Sequence, residues 1–201
     1  MLASWKYNVV IYTPYKNAST SIEAFFKRDR SFTTIYGEQV CYNTTPANKR
    51  KHGKHTPLQF DFMDRYECFP YQRGKTRIFL PIRHPYTRVK SMYYFFLSKA
   101  AMPMDFDQWF LSKSKAPNDR PVTKYFPYTD LIRFEHLEKD LLKITKDFNM
   151  QFEDDNYEIP HIKPPRDLSH KNKPPIELTQ FQKDAIYYFH YEDFVNGRYQ
   201  R

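Results

Sequence analysis

Glycine is scarce in this chain, at four of 201 residues. None falls between Asn8 and Phe26, where a short apolar run, Lys16 and a trio of hydroxyls outline a phosphate-gripping loop. A Walker A loop has the pattern G-x-x-x-x-G-K-[ST], with its lysine after the glycines. Here Lys16 precedes Ser19, Thr20 and Ser21, which argues against a loop that wraps a nucleoside triphosphate and permits one that grips a single terminal anionic group. Cysteine is scarcer still: Cys41 and Cys68 are the only two. They make neither a disulfide framework nor a zinc site, and they read as free, partly buried thiols. No apolar run approaches the ~20 residues of a membrane span, and mean hydropathy is −0.81. The opening residues, Met1 to Val10, lack the basic start and long apolar stretch of a signal peptide. These absences predict a soluble, cytoplasmic protein with no membrane span.

Positive charge and aromatic rings are abundant instead. There are 32 Lys and Arg against 23 Asp and Glu, a net charge of +9. That balance suits an anionic partner such as a nucleotide, nucleic acid, sulfated glycan or acidic lipid; general solubility explains it equally well. Aromatics are 18% of the residues, which predicts a core built on large rings. The length suits one domain over residues 1–201, and no composition shift divides it.

Residues 7–13 read as a buried strand, β-branched and aromatic without charge. A helix is predicted over 19–30, with Ser or Thr at its cap, Glu23 in its first turn and Ile22, Phe25 and Phe26 as its apolar stripe. Residues 31–37 form a further candidate strand, and the polar, basic stretch 42–57 reads as a loop. Residues 76–82 read as a second buried strand, broken at Arg83-His84-Pro85 and followed by a helix. Another amphipathic helix is predicted over 105–114. A strand over 130–134 precedes a helix to Phe148. Residues 153–176 read as an extended, Pro-rich segment, and 178–194 as one closing helix. Strands alternating with helices predict an α/β fold, a P-loop-like three-layer α/β/α arrangement with a central parallel sheet.

In such a sheet ligands bind beyond the carboxyl ends of the strands, at helix N-termini. Two strand-to-helix turns carry the right chemistry. The first is Pro14-Tyr15-Lys16-Asn17-Ala18-Ser19-Thr20-Ser21. Outward-pointing amides favour an anion, the hydroxyls add donors and Lys16 adds a mobile charge; a capped helix with a surface lysine is the plainer reading. The second turn places Arg83 at a strand end and Ser91 eight residues later. Arginine's fork of donors matches phosphate oxygens. Arg88 lies on another side of this helix, facing a possible carboxylate.

Taken together the two turns are more specific. "TPYKNASTSI" resembles the 5′-phosphosulfate loop of sulfotransferases that use 3′-phosphoadenosine 5′-phosphosulfate (PAPS), and "IRHPYTRVKSMYYFF" resembles their 3′-phosphate segment. "DLIRFEHLEKDL" and "IYYFHYEDFVNGRY" are similar to two later family signatures, in the family's order. The likeness runs from Tyr12 to Tyr199 and is nearest the carbohydrate (Golgi-like) branch. His84 stands where the family usually has Asp, a departure that touches local hydrogen bonding. The resemblance implies sulfuryl transfer from PAPS to a hydroxyl or amine, without a metal, leaving adenosine 3′,5′-bisphosphate. It implies that Pro14, Tyr15, Lys16, Asn17, Ala18, Ser19, Thr20 and Ser21 hold the 5′ end, that Lys16 acts on the bridging oxygen, and that Arg83 and Ser91 hold the 3′-phosphate.

A base must take the acceptor's proton. His55 is the first candidate, since relatives carry a His just upstream of the 3′-phosphate strand; His52 is the second and Glu23 a fallback. A solvated basic loop that attracts an anionic acceptor accounts for both histidines as well. The acceptor expected is a glycan or small hydroxyl compound, with nucleic acid not expected. The sequon at Asn17 is read as chance, because a glycan there would block the loop. Two other classes stay open: a P-loop-like phosphotransferase, with Glu135 at a strand end as a magnesium ligand, and a basic RNA- or polyanion-binding module.

Overall fold

The computed structural model describes residues 1–34, 74–97, 104–113, 121–154, 156–160 and 176–201. Five strands form one sheet in the order β3-β1-β2-β4-β5. They are β1 (Leu2–Ser4), β2 (Val9–Ile11), β3 (Phe32–Thr34), β4 (Arg77–Ile82) and β5 (Asp130–Arg133). The neighbours β2, β4 and β5 run parallel, as alternating strands and helices predict.

The sheet as a whole is mixed, which corrects the expectation of a parallel one. β1 pairs antiparallel with both β2 and β3. The chain reverses between β1 and β2 in the turn Trp5–Asn8, closed by the Asn8 amide on the Trp5 carbonyl at 3.3 Å. Asn8 takes φ 52 there, a conformation that asparagine tolerates better than most side chains. A hairpin needs no crossover helix, so the N-terminal strands escape the strand–helix rhythm that sets the parallel half.

Seven α-helices lie among the described residues: α1 (Ser19–Phe26), α2 (Pro85–Leu97), α3 (Phe106–Lys113), α4 (Val122–Tyr125), α5 (Leu137–Asp147), α6 (Gln180–Phe189) and α7 (Tyr191–Gly197). A 3₁₀ turn, Phe134–His136, joins β5 to α5. The predicted closing helix is therefore two, divided at His190 (φ −115, ψ 25). Thr179 and Gln182 form a capping box at the start of α6. None of these helices is long and apolar enough to cross a membrane.

Strand alternation distributes the apolar side chains to both faces of the sheet. On one face Leu2, Val9, Ile11, Phe79 and Ile132 pack against Ile22, Phe25 and Phe26 of α1 and Leu141 and Ile144 of α5. The α1 stripe read from sequence is thus buried in full, and each such side chain stabilises the fold by about 1.5–3 kcal/mol. On the other face Val10, Ile78, Leu80 and Ile82 meet Val122 and Phe126. A third cluster, with Val89, Met92, Trp109, Ile186 and Phe194 among its members, ties α2 to α3, α6 and α7.

Two features distinguish the carboxyl edge of β2 and β4. β2 and β4 are adjacent and parallel, so the chain leaves both at the same end, α1 leading towards β3 on one side and α2 towards β5 on the other. Ligand crevices in α/β sheets form where neighbouring strands part this way. Pro81 sharpens the parting. The Tyr12 amide still donates to the Phe79 carbonyl at 2.9 Å, but Pro81, two residues on and directed to the same side, has no N–H to continue the ladder.

Candidate functional site

The loop after β2 begins as a turn in which the Asn17 amide donates to the Pro14 carbonyl at 3.4 Å. Lys16 is its third residue and has φ 62, where glycine is the usual occupant. Ala18 follows with φ 59 and is the N-cap of α1. The predicted Ser or Thr cap is therefore replaced by a left-handed alanine with no side-chain cap bond. The first intrahelical bond runs from the Ile22 amide to the Ala18 carbonyl at 3.0 Å, so the amides of Ser19, Thr20 and Ser21 have no partner within the helix. Because α1 begins at Ser19, Glu23 lies past the first turn, which corrects the predicted position. Two non-glycine residues, Lys16 and Ala18, thus hold left-handed backbone in a loop without glycine, at about 1–2 kcal/mol each.

Asn17 is 1% exposed, and its Nδ2 donates to the Tyr15 carbonyl at 3.4 Å. Its burial inside the loop agrees with reading that sequon as chance.

The loop after β4 is braced from several directions. Arg83 is half-buried, its guanidinium 4.1 Å from the centre of the Phe134 ring and its Nε 3.0 Å from Thr87 Oγ1. Burial pulls its pKa down from the ordinary arginine value, against the pull of Glu135 and Tyr199. Among the described residues the Nε bond to Thr87 is the one hydrogen bond of this guanidinium. His84 caps the helix that follows it. Its Nδ1 accepts from the Tyr86 amide at 3.3 Å, a helix-capping bond of the kind Asp makes, while Nε2 lies 3.2 Å from the Gln200 carbonyl. The two contacts together require the tautomer with its proton on Nε2. Burial lowers the His84 pKa below the ordinary histidine value, with the Gln200 carbonyl and Glu135 opposing.

Glu135 closes this bracket. Its Oε1 accepts from the His84 amide at 2.9 Å and its Oε2 from the Tyr199 hydroxyl at 2.8 Å. Both oxygens of the residue weighed as a magnesium ligand are already engaged in joining β5, the β4 turn and the chain end. Burial and Glu135 push the Tyr199 phenol far up.

Helix α2 spans the distance between the two loops. Thr87, Ser91 and Phe95 follow at spacings of four, which places them on one side of the helix. Thr87 holds Arg83 at one end. At the other, Lys16 Nζ sits 4.7 Å from the centre of the Phe95 ring and 5.9 Å from that of Tyr15. Ser91 lies midway, and from Thr87 to Phe95 the helix rises about 12 Å. The structure thus brings Lys16, Arg83 and Ser91 to one side of α2. His52 and His55 lie outside the described residues, as do the cysteines and most of the Pro-rich segment.

No protein-family model, curated protein or solved structure matches the chain.

A buried network fixes α2 from behind. Arg88, predicted to meet a carboxylate, lies 3.5 Å from Asp193 Oδ2. Asp193 also accepts from the Val122 amide at 3.0 Å and from the Thr123 amide and hydroxyl, both at 2.8 Å. Burial raises the Asp193 pKa, but the donors around it, with the His190 ring 3.8 Å away, hold it below the ordinary aspartate value. Asp193 therefore caps α4 and anchors α2 to α7. Sequence reading gave no role to Glu135 beyond a magnesium ligand, nor any to Phe95. The only signal for Phe95 was its spacing of four from Ser91.

Proposed function

We propose that the chain is a PAPS-dependent sulfotransferase on a P-loop-like α/β/α framework, transferring a sulfuryl group to a hydroxyl or amine, with a carbohydrate as the expected acceptor. One observation carries the reading. Two basic strand-to-helix turns leave adjacent parallel strands, and one side of α2 runs from Arg83 past Ser91 to Lys16. A ligand with anionic groups at two separated points fits that spacing of cations.

PAPS supplies an activated sulfuryl group and two such anionic ends. The amides at the start of α1 and the hydroxyls of Ser19, Thr20 and Ser21 receive its phosphosulfate end. Lys16 faces the charge that grows on the bridging oxygen as the sulfuryl group departs, a preorganised cation in a partly dry crevice. The Arg83 fork and the Ser91 hydroxyl receive the 3′-phosphate. Holding both ends fixes the reacting atoms in line with the acceptor, where positioning does most of the catalytic work. His55 or His52 takes the acceptor's proton.

The test is transfer of label from ³⁵S-PAPS to a panel of sugars, acidic oligosaccharides, phenols and tyrosine peptides. Transfer to at least one class is expected, with Lys16→Ala reducing it at least about a hundredfold. ATP turnover in place of sulfuryl transfer would favour the phosphotransferase reading.

A further inference from the structure

The lysine assigned to the bridging oxygen does not extend from the loop alone. Its backbone is already held at φ 62, which fixes where the side chain starts. Its ammonium then meets a built aromatic corner. The rings of Tyr15 and Phe95 lie 5.1 Å apart at 82°, edge to face, and both face the Lys16 Nζ. Tyr15 precedes the lysine in the loop, whereas Phe95 comes from the third turn of α2. The corner therefore joins the two halves of the site at the cation itself.

A ring face attracts an ammonium through its quadrupole and leaves its positive charge intact, unlike a carboxylate, which neutralises it. A lysine side chain has more rotamer freedom to lose than most, so a fixed seat changes where its charge is found. The Tyr15 phenol is pushed up to about 12 by burial, so its ring stays neutral over the working range.

We propose that Phe95, with Tyr15, is a positioning residue for Lys16: the ring pair seats the charged ammonium over the loop before any anion arrives, so that the anion meets a cation already in place. The identity of that anion rests on the sulfotransferase reading, whereas the seat does not.

The experiment uses the full chain labelled with ¹³C at lysine Cε, with the Lys16 signal assigned by its loss in Lys16→Arg. Ring currents place the Lys16 signal apart from those of solvated lysines in the ligand-free wild type. Phe95→Leu keeps the bulk and removes the face, and it should return the signal towards the solvated position. Phe95→Tyr keeps the face and should leave the signal displaced. A Lys16 signal among the solvated lysines in wild type, or one unmoved by Phe95→Leu, overturns the seat. Adenosine 3′,5′-bisphosphate is then titrated by calorimetry, with affinity expected to fall about three- to tenfold in Phe95→Leu and to recover in Phe95→Tyr. Equal affinity in all three proteins overturns the positioning role. A displaced Lys16 signal in a wild type that does not bind the bisphosphate supports the seat and removes the sulfotransferase reading.

Discussion

Replacing Asp193 with alanine tests the network that holds α2 against the sheet. Arg88 and Asp193 are 3% and 1% exposed, so neither charge is screened by water. The substitution removes the acceptor of the Val122 and Thr123 amides and of the Thr123 hydroxyl, and leaves the buried guanidinium without that carboxylate. Breaking a buried pair by deleting one partner costs about 3–5 kcal/mol. Against a total stability of about 5–15 kcal/mol this is a large fraction, yet a folded population remains for measurement. Urea unfolding followed by circular dichroism at pH 7 should show the midpoint falling by that energy divided by the slope. Adding Arg88→Met should restore part of the loss, because it removes a buried guanidinium that has lost this carboxylate, so the double-mutant cycle departs from additivity by at least about 1 kcal/mol. A loss below about 1 kcal/mol for Asp193→Ala, or strict additivity with Arg88→Met, would refute the assignment of Asp193 as the anchor of α2, α4 and α7.

Other substitutions probe the loops. Arg83→Lys keeps the charge and loses the fork; it should weaken adenosine 3′,5′-bisphosphate binding about 10- to 100-fold in calorimetry while leaving AMP binding nearly unchanged. Ala18→Gly relieves the left-handed strain of about 1–2 kcal/mol, offset by about 0.4–1 kcal/mol of added freedom in the unfolded chain and by part of a methyl packed at the core's edge. The net gain of roughly 0.5 kcal/mol should raise Tm by about 1–2 °C, and a fall in Tm would contradict the strain argument. His84 and His190 are both held below the ordinary histidine value of 6.5, chiefly by burial. Their folded states favour the neutral ring, so the unfolded chain takes up protons first. Stability from them is full above pH 6.5 and is lost as pH falls through their folded values. Urea midpoints should be level from pH 7 to 8 and decline below about 6.5, with a shallower decline in His84→Asn.

The sequence spoke most clearly where one physical demand dominates a segment. An uncharged, β-branched run marked β2, and an apolar run after Arg77 marked β4, because these residues are buried on both faces of the sheet. The α1 stripe was legible because Ile22, Phe25 and Phe26 repeat at helical spacing. That the two turns leave one edge of the sheet was legible because each follows a strand read as part of a parallel arrangement. Leu2–Ser4 was missed because three residues have no period to read, and their strand is made by partners on both sides. The alanine cap of α1 had no signal, since alanine has no intrinsic preference for the left-handed region; the surrounding fold imposes it. The division at His190 was hidden because the apolar pattern runs through it, and the backbone bonds His190 to Ile186 and Phe194 to His190 flank the break. The seat of Lys16 on Phe95 joins residues seventy-nine apart, and only the parallel pairing of β2 with β4 brings them together.

The central claim is that the two strand-to-helix turns read two anionic ends, and the affinity of the wild-type chain for adenosine 3′,5′-bisphosphate against AMP tests it most directly. Calorimetry at fixed salt should show the bisphosphate bound at least about tenfold more tightly, from a single charge-assisted 3′ contact of about 1.5–3 kcal/mol, with the preference gone in Arg83→Ala. Equal affinity for the two nucleotides, or a preference untouched by Arg83→Ala, would contradict the account.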